Sequence, residues 1–332
     1  MRLSPSAFLL SLAAVAACSA DRVDAPHSPP QTPRVSASEI FLGGMTVFRS
    51  EASGINDGGT VVGNAELTVF DREQAAVWMP PDYHLTFLPD AGAGSSSASV
   101  ISDDGTIGGT ICDGAHFTPP CHPVYWRNGV LHQLGGLGVL HGICPCDGHT
   151  LVGYIDVNGN EHGAIWEDEI LIDVGMPPNS ADAELAAIAH NNIVGNSFPR
   201  HGDVSEVHPY RWSPTTGWVA MGNTNSFVLD VNAHGSAIGR PNLLWANGSN
   251  TPVPLPGGEV SAINDSGVVA GTCHPSPGSG PEFAPCEWTA SGGWVPLSTE
   301  TFTSVRDINN SNVAVGDVRT NLHRSTAVLW AP

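Results

Sequence analysis

A short pattern of residues recurs seven times along the chain and constrains its fold more than any other feature. The pattern is an aliphatic residue, often Asn, a polar turn with Gly, and an aliphatic run that ends in Gly. The copies lie at 55–63, 101–109, 147–153, 188–195, 231–239, 263–271 and 308–316. Each copy is followed by one tryptophan at the end of a short apolar run: Trp78, Trp126, Trp166, Trp212, Trp245, Trp288 and Trp330. This alternation predicts a repeat architecture.

The length and chemistry of the repeat predict a four-stranded β unit. Residues 40–332 divide into seven units of about 42 residues, which is the length of a propeller blade. Asn-Asp-x-Gly between β-branched runs favours a tight hairpin turn, because Asn and Asp bond their own backbone and Gly supplies positive φ. A second turn and another short strand follow each Trp, as in residues 127–134. We therefore expect an all-β, seven-bladed β-propeller, in which only residues 182–189 look helical.

The two ends of the repeat region predict how the ring closes. The last repeat ends at Trp330 with two residues after it, so its fourth strand is lacking. The segment Gly44–Arg49, in contrast, is a strand with no repeat before it. Placing this N-terminal strand on the outside of the last blade removes an exposed edge, which favours a closed ring over an open solenoid.

The same residues resemble the HAF-repeat family of bacterial extracellular repeat proteins. The resemblance is carried by Ile-Asn-x-x-Gly-x-Val-Val-Gly at 55–63, by the His-Gly-Ala-Ile-Trp box at 162–166, and by the run 129–138 that ends Leu-Gly-Gly-Leu-Gly. It spans nearly all of residues 44–332 as a pattern. It implies a secreted, propeller-like body and no particular reaction.

The N-terminus predicts export and a lipid anchor. Residues 1–17 carry Arg2 and then an apolar stretch that is too short to span a bilayer, as in a signal peptide. The exit Val-Ala-Ala-Cys, which ends at Cys18, resembles the lipobox of bacterial lipoproteins. The resemblance implies lipidation of Cys18 and, with Ser19 next, delivery to the outer membrane. The alternative is an ordinary secretory signal with a chance cysteine nearby.

Charge and composition limit the partners. All 12 basic residues are Arg and stand against 32 Asp and Glu, which gives a net charge of −20. This balance argues against a nucleic-acid partner, because phosphate binding needs clustered basic charge. The Pro- and Ser-rich segment 18–39 is expected to be a tether between the lipid and the propeller at 40–332. We expect a monomer held at the membrane by its lipid, with a protein or carbohydrate ligand and no cofactor.

The predicted strand order divides the connections between two faces of the ring. The Asn-Asp-Gly turns and the turns after Trp are tight and share one face, which we call the turn face. The connections between the Gly strand and the Trp strand share the opposite, long-loop face; the long ones span 64–75, 110–123, 196–209 and 272–286. Ligand sites are usually built at the loop-rich end of a rigid scaffold, although exposed loops also simply collect polar residues. The candidate binding residues are His116, His122, Arg200, His201, His208 and His274.

Four of the six cysteines that follow the signal predict two disulfides, since pairing is expected in an oxidising compartment. Cys112 and Cys121 bracket the long loop of the second unit. Cys273 and Cys286 bracket the same loop of the sixth unit. Two pairs at equivalent places in the repeat favour local bridges.

The remaining pair, Cys144 and Cys146, is flanked by His141 and His149. Thiolates and imidazoles at such spacing bind zinc or copper. However, one turn rarely points four ligands inward, and thiolates oxidise outside the cytoplasm. A disulfide within the pair, or two free thiols, is the simpler interpretation, and no metal is expected. The run 156–161 resembles a calcium loop slightly but lacks the later bidentate acid, so a hairpin turn explains it better.

The sequence contains no recognisable catalytic motif. Neither Gly-x-Ser-x-Gly nor His-Glu-x-x-His is present, and Ser279 lies in a Pro/Gly loop rather than between a strand and a helix. These observations favour a cell-envelope binding scaffold without catalytic residues. Propellers also house hydrolases and lyases with catalytic acids from separate blades, so an enzyme acting on a carbohydrate or other envelope substrate is the alternative. Converging carboxylates in a deep pocket would favour the enzyme.

Overall fold

Within the residues that the structure describes, 28 strands form seven four-stranded antiparallel sheets, arranged as the blades of a ring. The computed structural model describes residues 38–42, 47–68, 72–222, 225–274, 283–300, 303–321 and 324–332. The predicted signal at 1–17 and residues 18–37 of the predicted tether, including Cys18, lie outside the described residues, whereas the last two residues of that segment, Ser38 and Glu39, begin a strand of the propeller. The predicted fold, a seven-bladed β-propeller, is confirmed.

The first strand of the chain, β1 (Ser38–Phe41), belongs to the last blade, and the other strands follow blade by blade from the innermost strand to the outer edge. Blade 1 contains β2 (Arg49–Ile55), β3 (Val61–Glu66), β4 (Gln74–Met79) and β5 (His84–Phe87). Blade 2 contains β6 (Ser95–Ile101), β7 (Ile107–Cys112), β8 (Cys121–Arg127) and β9 (Val130–Gln133). Blade 3 contains β10 (Gly138–Ile143), β11 (Thr150–Val157), β12 (Asn160–Glu167) and β13 (Ile170–Gly175). Blade 4 contains β14 (Asp182–Ala189), β15 (Asn192–Phe198), β16 (His208–Ser213) and β17 (Gly217–Ala220).

The last three blades repeat this order. Blade 5 contains β18 (Phe227–Val231), β19 (Ala237–Arg240), β20 (Leu243–Trp245) and β21 (Val253–Pro254). Blade 6 contains β22 (Gly258–Ile263), β23 (Val269–Cys273), β24 (Ala284–Thr289) and β25 (Gly293–Pro296). Blade 7 contains β26 (Thr303–Ile308), β27 (Ala314–Asn321) and β28 (Arg324–Ala331), with β1 as its outer strand. Two short 3-10 helices are Ala115–Phe117 and Ala246–Gly248.

The repeat glycine is required by the close approach of the two inner strands of each blade. The innermost strand has a β-bulge, which in blade 1 lies between Ala52 and Gly54. Because of this bulge, a Cβ atom on Gly63 would lie 1.9 Å from the backbone oxygen of Glu51. The corresponding distance lies between 1.8 and 2.2 Å in all seven blades. No side chain fits there, which explains why the repeat pattern always ends in glycine.

Tryptophans pack in the cores between blades, and in blades 4 and 6 a tryptophan outside the predicted series takes this place. Five of the predicted series are at most 1% exposed: Trp78, Trp126, Trp166, Trp245 and Trp330. In blades 4 and 6, Trp212 and Trp288 are half-buried instead. There the next strand supplies Trp218 and Trp294, which pack over the repeat glycines of those blades. The two tryptophans outside the predicted series therefore substitute for series members.

An N-terminal strand closes the last blade, as predicted, but it is a different segment. Strand β1 pairs antiparallel with β28, so that Ser38 lies opposite Ala331. The indole N–H of Trp330 donates a 3.0 Å hydrogen bond to the carboxylate of Glu39. Of the predicted strand 44–49, residues 44–46 lie outside the described residues, and its last residue begins β2 of blade 1. The closing segment thus lies about six residues earlier than predicted.

Two smaller expectations concern local structure in blades 3 and 4. Residues 156–161 form the hairpin turn between β11 and β12, as predicted. The helix-like segment 182–189 is instead the innermost strand β14, whose apolar side chains are buried against blades on both sides. A strand buried on both faces loses the alternation that distinguishes it from a helix. The described residues contain no helix long and apolar enough to cross a membrane.

Candidate functional site

The central channel has a cavity of about 550 Å³ near the turn face. The bulge in each innermost strand leaves one residue without a partner across the ladder, and that residue lines the cavity. These seven residues are Ser53, Ser99, His141, Ala186, Leu229, Ser261 and Arg306. The wall of the channel is thus mostly small and polar.

The polar side chains at the turn-face mouth are already used to join the blades. The side-chain amide of Asn264 donates to the carbonyl of Asn309 in the next blade at 3.0 Å, while its oxygen accepts from Val268 N–H in its own turn at 3.0 Å. The carboxylate of Asp57 accepts from the N–H of Asn310 at 2.8 Å. Groups engaged in this way hold the ring together and offer a ligand few free donors or acceptors.

A larger cavity of about 850 Å³ opens between blades 2 and 3, and we call it the blade 2–3 groove. It lies on the long-loop face. One wall is the long loop of blade 2, with Phe117, Pro119 and Pro120 beside the Cys112–Cys121 bridge. The opposite wall and the floor are formed mainly by Leu137, Val139, Tyr154, Asp156 and Glu161, and His201 reaches in from blade 4. Three consecutive blades therefore contribute to one site.

The blade 2 wall is braced at two points. Cys112 and Cys121 lie directly opposite each other, where β7 ends and β8 begins, and their sulfurs form the predicted disulfide. Ser95 Oγ accepts from the N–H of Phe117 at 2.9 Å and donates to the carbonyl of Gly114 at 2.8 Å. The predicted Cys273–Cys286 bridge is also present, in blade 6. The long loop next to the groove is thus held at its base and at its tip.

The floor of the groove brings the phenol of Tyr154 close to the half-buried carboxylates of Glu161 and Glu184. Burial raises the pKa of Tyr154 to about 12, and the negative charges of Glu161 and Glu184 add to the shift. The Tyr154 ring packs edge-on against His141 with 5.6 Å between centroids, and His141 Nδ1 lies 3.6 Å from a Glu184 oxygen. Burial, followed by the charges of Asp182 and Glu184, also raises the pKa of Glu161. Tyr154 therefore stays a neutral donor, and Glu161 takes up a proton more readily than an exposed glutamate.

A buried aspartate positions the histidine that reaches into the groove. Asp182 accepts hydrogen bonds from the N–H groups of Glu161 (3.0 Å) and Gly202 (3.1 Å), and its Oδ1 lies 3.0 Å from His201 Nδ1. Burial opposes ionisation of Asp182, but these hydrogen bonds lower its pKa overall. The hydrogen bond to Asp182 raises the pKa of His201 in turn. His201 is thereby oriented by a charged partner at the edge of the groove.

The six predicted binding residues lie on three different blades and do not all share one site. His116 and His122 belong to the blade 2 loop region, Arg200, His201 and His208 to blade 4, and His274 to blade 6. Of these six, His201 lines the groove. Three of the others face local partners: Arg200 pairs with Asp203 at 3.3 Å, His208 lies 3.6 Å from Glu206, and the His274 ring lies 4.6 Å from that of Phe283.

The weak metal candidate does not assemble as four ligands. Cys144 and Cys146 are joined to each other as a disulfide, so their sulfurs are not thiolate ligands. His141 faces Glu184, and the Nδ1 atom of His149 lies 3.4 Å from Asp168. In the part of the chain that the structure describes, the compact group around these cysteines contains Asp147 rather than either histidine.

Sequence reasoning missed the residues of the groove floor, although one signal marks them. Tyr154 directly follows the repeat glycine of blade 3. The residues at this position in the other blades are Asn64, Thr110, Asn196, Arg240, Thr272 and Asp317. An aromatic residue at a position that is otherwise polar indicates a local function. Glu161 and Asp182 carry no such signal, because their proximity arises from the packing of blade 3 against blade 4.

Comparison with known proteins identifies the fold alone. No family model and no curated protein matches the sequence. Virginiamycin B lyase from Staphylococcus aureus is similar in structure, with a TM-score of 0.56, 11% identity, and coverage of 89% of this chain and 99% of the lyase. An acylaminoacyl peptidase from Pyrococcus horikoshii is also similar in structure, with a TM-score of 0.56, 14% identity, and coverage of 87% of this chain and 52% of the peptidase. A prolyl endopeptidase structure (TM-score 0.59, 13% identity) is covered over 49% by 86% of this chain, so the chain spans about half the length of either peptidase.

Proposed function

We propose that the protein is a ligand-binding scaffold of the cell envelope and that the blade 2–3 groove is its binding site. The observation that carries the proposal is a cavity of about 850 Å³ with a disulfide-braced wall and with Tyr154 and Glu161 on its floor. This volume lies in the range of small-molecule sites. A wall that is already held in place loses little conformational freedom when a ligand binds, which favours recognition.

The lining of the groove suits a neutral or cationic carbohydrate segment. The carboxylates of Asp156 and Glu161 accept hydrogen bonds from hydroxyl or ammonium groups. Phe117, Leu137 and the ring of Tyr154 offer apolar surface to the C–H face of a sugar ring. A polyanionic glycan is disfavoured by these carboxylates and by the net charge of −20.

The proposed location rests on the N-terminal sequence. Lipidation of Cys18 would hold the body at the outer membrane, facing either the periplasm or the exterior, because several acyl chains make a stable anchor. The three disulfides support an oxidising compartment. Changing Cys18→Ser tests the anchor: we expect the variant to leave the detergent phase or stay unprocessed. Identical soluble behaviour of the wild type and the variant would refute it.

Binding is tested with a glycan array followed by calorimetry on the ligands it identifies. Glu161→Gln and Tyr154→Phe should each weaken binding about tenfold, because each removes a polar contact on the groove floor. Glu259→Gln is the matched control, since Glu259 is an exposed carboxylate on the innermost strand of blade 6. If all three variants bind as the wild type does, or if no neutral or cationic glycan binds, the groove is not the carbohydrate site.

A second candidate function is a hydrolase or lyase that uses the same groove. It is favoured by Glu161, whose raised pKa and position beside Tyr154 and Glu184 suit a proton donor. Incubation of bound glycans with the wild type and with Glu161→Gln distinguishes the two functions. Products formed by the wild type but not by the variant would establish the enzyme, whereas binding without products supports the scaffold.

A further inference from the structure

We propose that the Cys144–Cys146 bridge is a thiol–disulfide exchange site, which reacts with external neutral or cationic thiols through the sulfur of Cys146. The bridge lies in the turn between β10 and β11, at the turn-face mouth of the central channel. Cys146 is exposed and lines the channel cavity, whereas Cys144 is 1% exposed. An incoming thiol therefore reaches one sulfur of the pair and not the other.

The turn around this bridge is held by hydrogen bonds that do not involve sulfur. Cys144 N–H donates to the carbonyl of Thr150 at 2.8 Å, and Gly148 N–H donates to the carbonyl of Cys144 at 3.1 Å. Asp147 Oδ1 accepts from the N–H groups of His149 (2.8 Å) and Thr150 (3.1 Å). Opening the disulfide leaves these bonds in place, so the turn is expected to keep its shape in both redox states.

The other two bridges close longer loops and are less accessible. They connect residues 9 and 13 positions apart, whereas Cys144 and Cys146 are separated by 2. A bridge that closes a short loop restricts the unfolded chain least and so stabilises least. Cys112, Cys273 and Cys286 are buried and Cys121 is half-buried, so thiols reach these sulfurs less readily than that of the exposed Cys146. Exposed bridges with little structural role are the labile ones, and Cys144–Cys146 is the bridge of this kind here.

The exchange reaction balances with a thiol as its co-reactant. A thiolate attacks Sγ of Cys146 and forms a mixed disulfide, while the S–S bond breaks and its electron pair goes to Sγ of Cys144, which takes up a proton from solvent. A second thiolate then attacks the sulfur of the bound thiol and releases Cys146 as a thiolate. The external thiols are oxidised to their disulfide, and the protein disulfide is reduced to two thiols.

The surrounding charge selects which thiols react. The cavity that Cys146 lines also carries the carboxylates of Asp57, Asp103 and Asp265, and Asp147 follows Cys146 directly. Two guanidinium groups oppose these four carboxylates: Arg306 lines the same cavity, and Arg127 donates to the carbonyl of Gly148 in the turn itself at 2.9 Å. Negative potential attracts a cationic thiol and repels an anionic one, and salt reduces the difference.

Exchange kinetics on the folded protein test the proposal. We would treat the protein with cysteamine (cationic), 2-mercaptoethanol (neutral) or 2-mercaptoethanesulfonate (anionic), trap it by alkylation and map the adducts by mass spectrometry. The first adduct should lie on Cys146, at least tenfold faster than loss of either other bridge. Rates per thiolate should fall from the cationic to the anionic reagent by about fivefold or more in low salt and converge in 1 M salt.

Paired variants locate the reactive sulfur. Cys144→Ser should form one mixed disulfide with cystamine at Cys146, whereas Cys146→Ser should stay unlabelled while it is folded, as judged by circular dichroism. Should either variant fail to fold, the wild-type kinetics decide alone. Equal reduction of all three bridges, first adducts on Cys144, or fastest reaction with the anionic thiol would overturn the proposal.

Discussion

The side-chain amide of Asn309, in blade 7, donates a 3.0 Å hydrogen bond to the backbone carbonyl of Asn56, in blade 1. The side-chain oxygen of Asn309 accepts from the N–H of Val313 at 3.0 Å and so also closes its own turn. Asn232 makes the same two kinds of contact between blades 5 and 6. The asparagine of the repeat motif therefore shapes a hairpin and joins neighbouring blades at once, and at Asn309 it joins the two ends of the ring.

Removal of this amide should destabilise the closed ring. Asn309→Ala leaves the buried Asn56 carbonyl and the N–H of Val313 without these partners, which costs about 1–3 kcal/mol. Urea unfolding followed by circular dichroism measures the loss. Asn250→Ala, at an exposed asparagine, is the control and should change stability by less than about 0.5 kcal/mol. Equal stability of the two variants would show that the contact between blades 7 and 1 is unimportant.

The fold could be predicted from the sequence because the Asn and Gly of the repeat motif are each required by a contact within their own blade. Gly63 is required by the backbone oxygen of Glu51, on the bulged strand beside it. Asn56 accepts a hydrogen bond from the N–H of Thr60, four residues later in its own turn. The closing strand Ser38–Phe41 could not be predicted in the same way, since its partner is at the far end of the chain. The groove was missed for a related reason: Tyr154 and His201 lie on different blades, and their proximity depends on how those blades pack.

The requirement for glycine at the bulge predicts a large effect from one methyl group. A Cβ on Gly316 would lie 1.8 Å from the backbone oxygen of Ser304, so Gly316→Ala must push two strands apart. We expect a loss of about 3 kcal/mol or more in the free energy of unfolding. Gly135→Ala is the control, because its Cβ would meet nothing nearer than 3.9 Å. If Gly316→Ala has the same melting temperature as Gly135→Ala, the bulge geometry is contradicted.

Truncation tests which segment closes the ring. A chain that begins at Ser38 should melt like the full chain, since residues 1–37 contain the predicted signal and all of the predicted tether except the two residues that belong to β1. A chain that begins at residue 43 lacks β1, exposes the edge of β28 and leaves the Trp330 indole without Glu39. It should melt several degrees lower and aggregate, as measured by calorimetry and light scattering. If both chains melt alike, β1 does not close blade 7.

One buried aspartate and two half-buried ones predict that mild acid stabilises the protein. Burial raises the pKa of Asp230 to about 7 and that of Asp307 and Asp317 to about 6, from an ordinary value of 3.8. Between these values and 3.8 the folded state holds more protons than the unfolded chain, so stability falls as pH rises through 6 to 7. The melting temperature at pH 5 should exceed that at pH 8 by roughly 5 °C. Below about pH 4 the trend should reverse, since Asp90 and Asp182 have lowered pKa values.

Asp230→Asn tests the origin of this pH dependence. The two carboxylate oxygens of Asp230 accept hydrogen bonds from the N–H groups of Val231 and Ile263. Asparagine has a single side-chain oxygen, so one of these bonds is lost and the absolute stability of the variant should fall. The informative quantity is the difference between pH 5 and pH 8, which should shrink because one titrating group is gone. An unchanged difference would assign the effect to other groups.

The two long-loop disulfides should differ in their effect on ligand binding. Cys112–Cys121 forms part of the groove wall, whereas Cys273–Cys286 lies in blade 6, on another part of the ring. The double variant Cys112→Ser/Cys121→Ser should bind a groove ligand at least tenfold more weakly, because the loop with Phe117 must then be ordered on binding. The Cys273–Cys286 bridge closes a loop of similar size, and the double variant Cys273→Ser/Cys286→Ser should bind as the wild type does.

Calorimetric titration of both double variants, with circular dichroism as the check on folding, decides between two roles for these bridges. Each bridge contributes about 3 kcal/mol by the chain-entropy estimate, so both variants should lose similar stability while their blades keep the β signal. Weaker binding in the blade 2 variant alone would then reflect the groove wall and not a general loss of stability. If both variants bind equally, whether weakly or tightly, the braced loop of blade 2 is not part of the recognition surface.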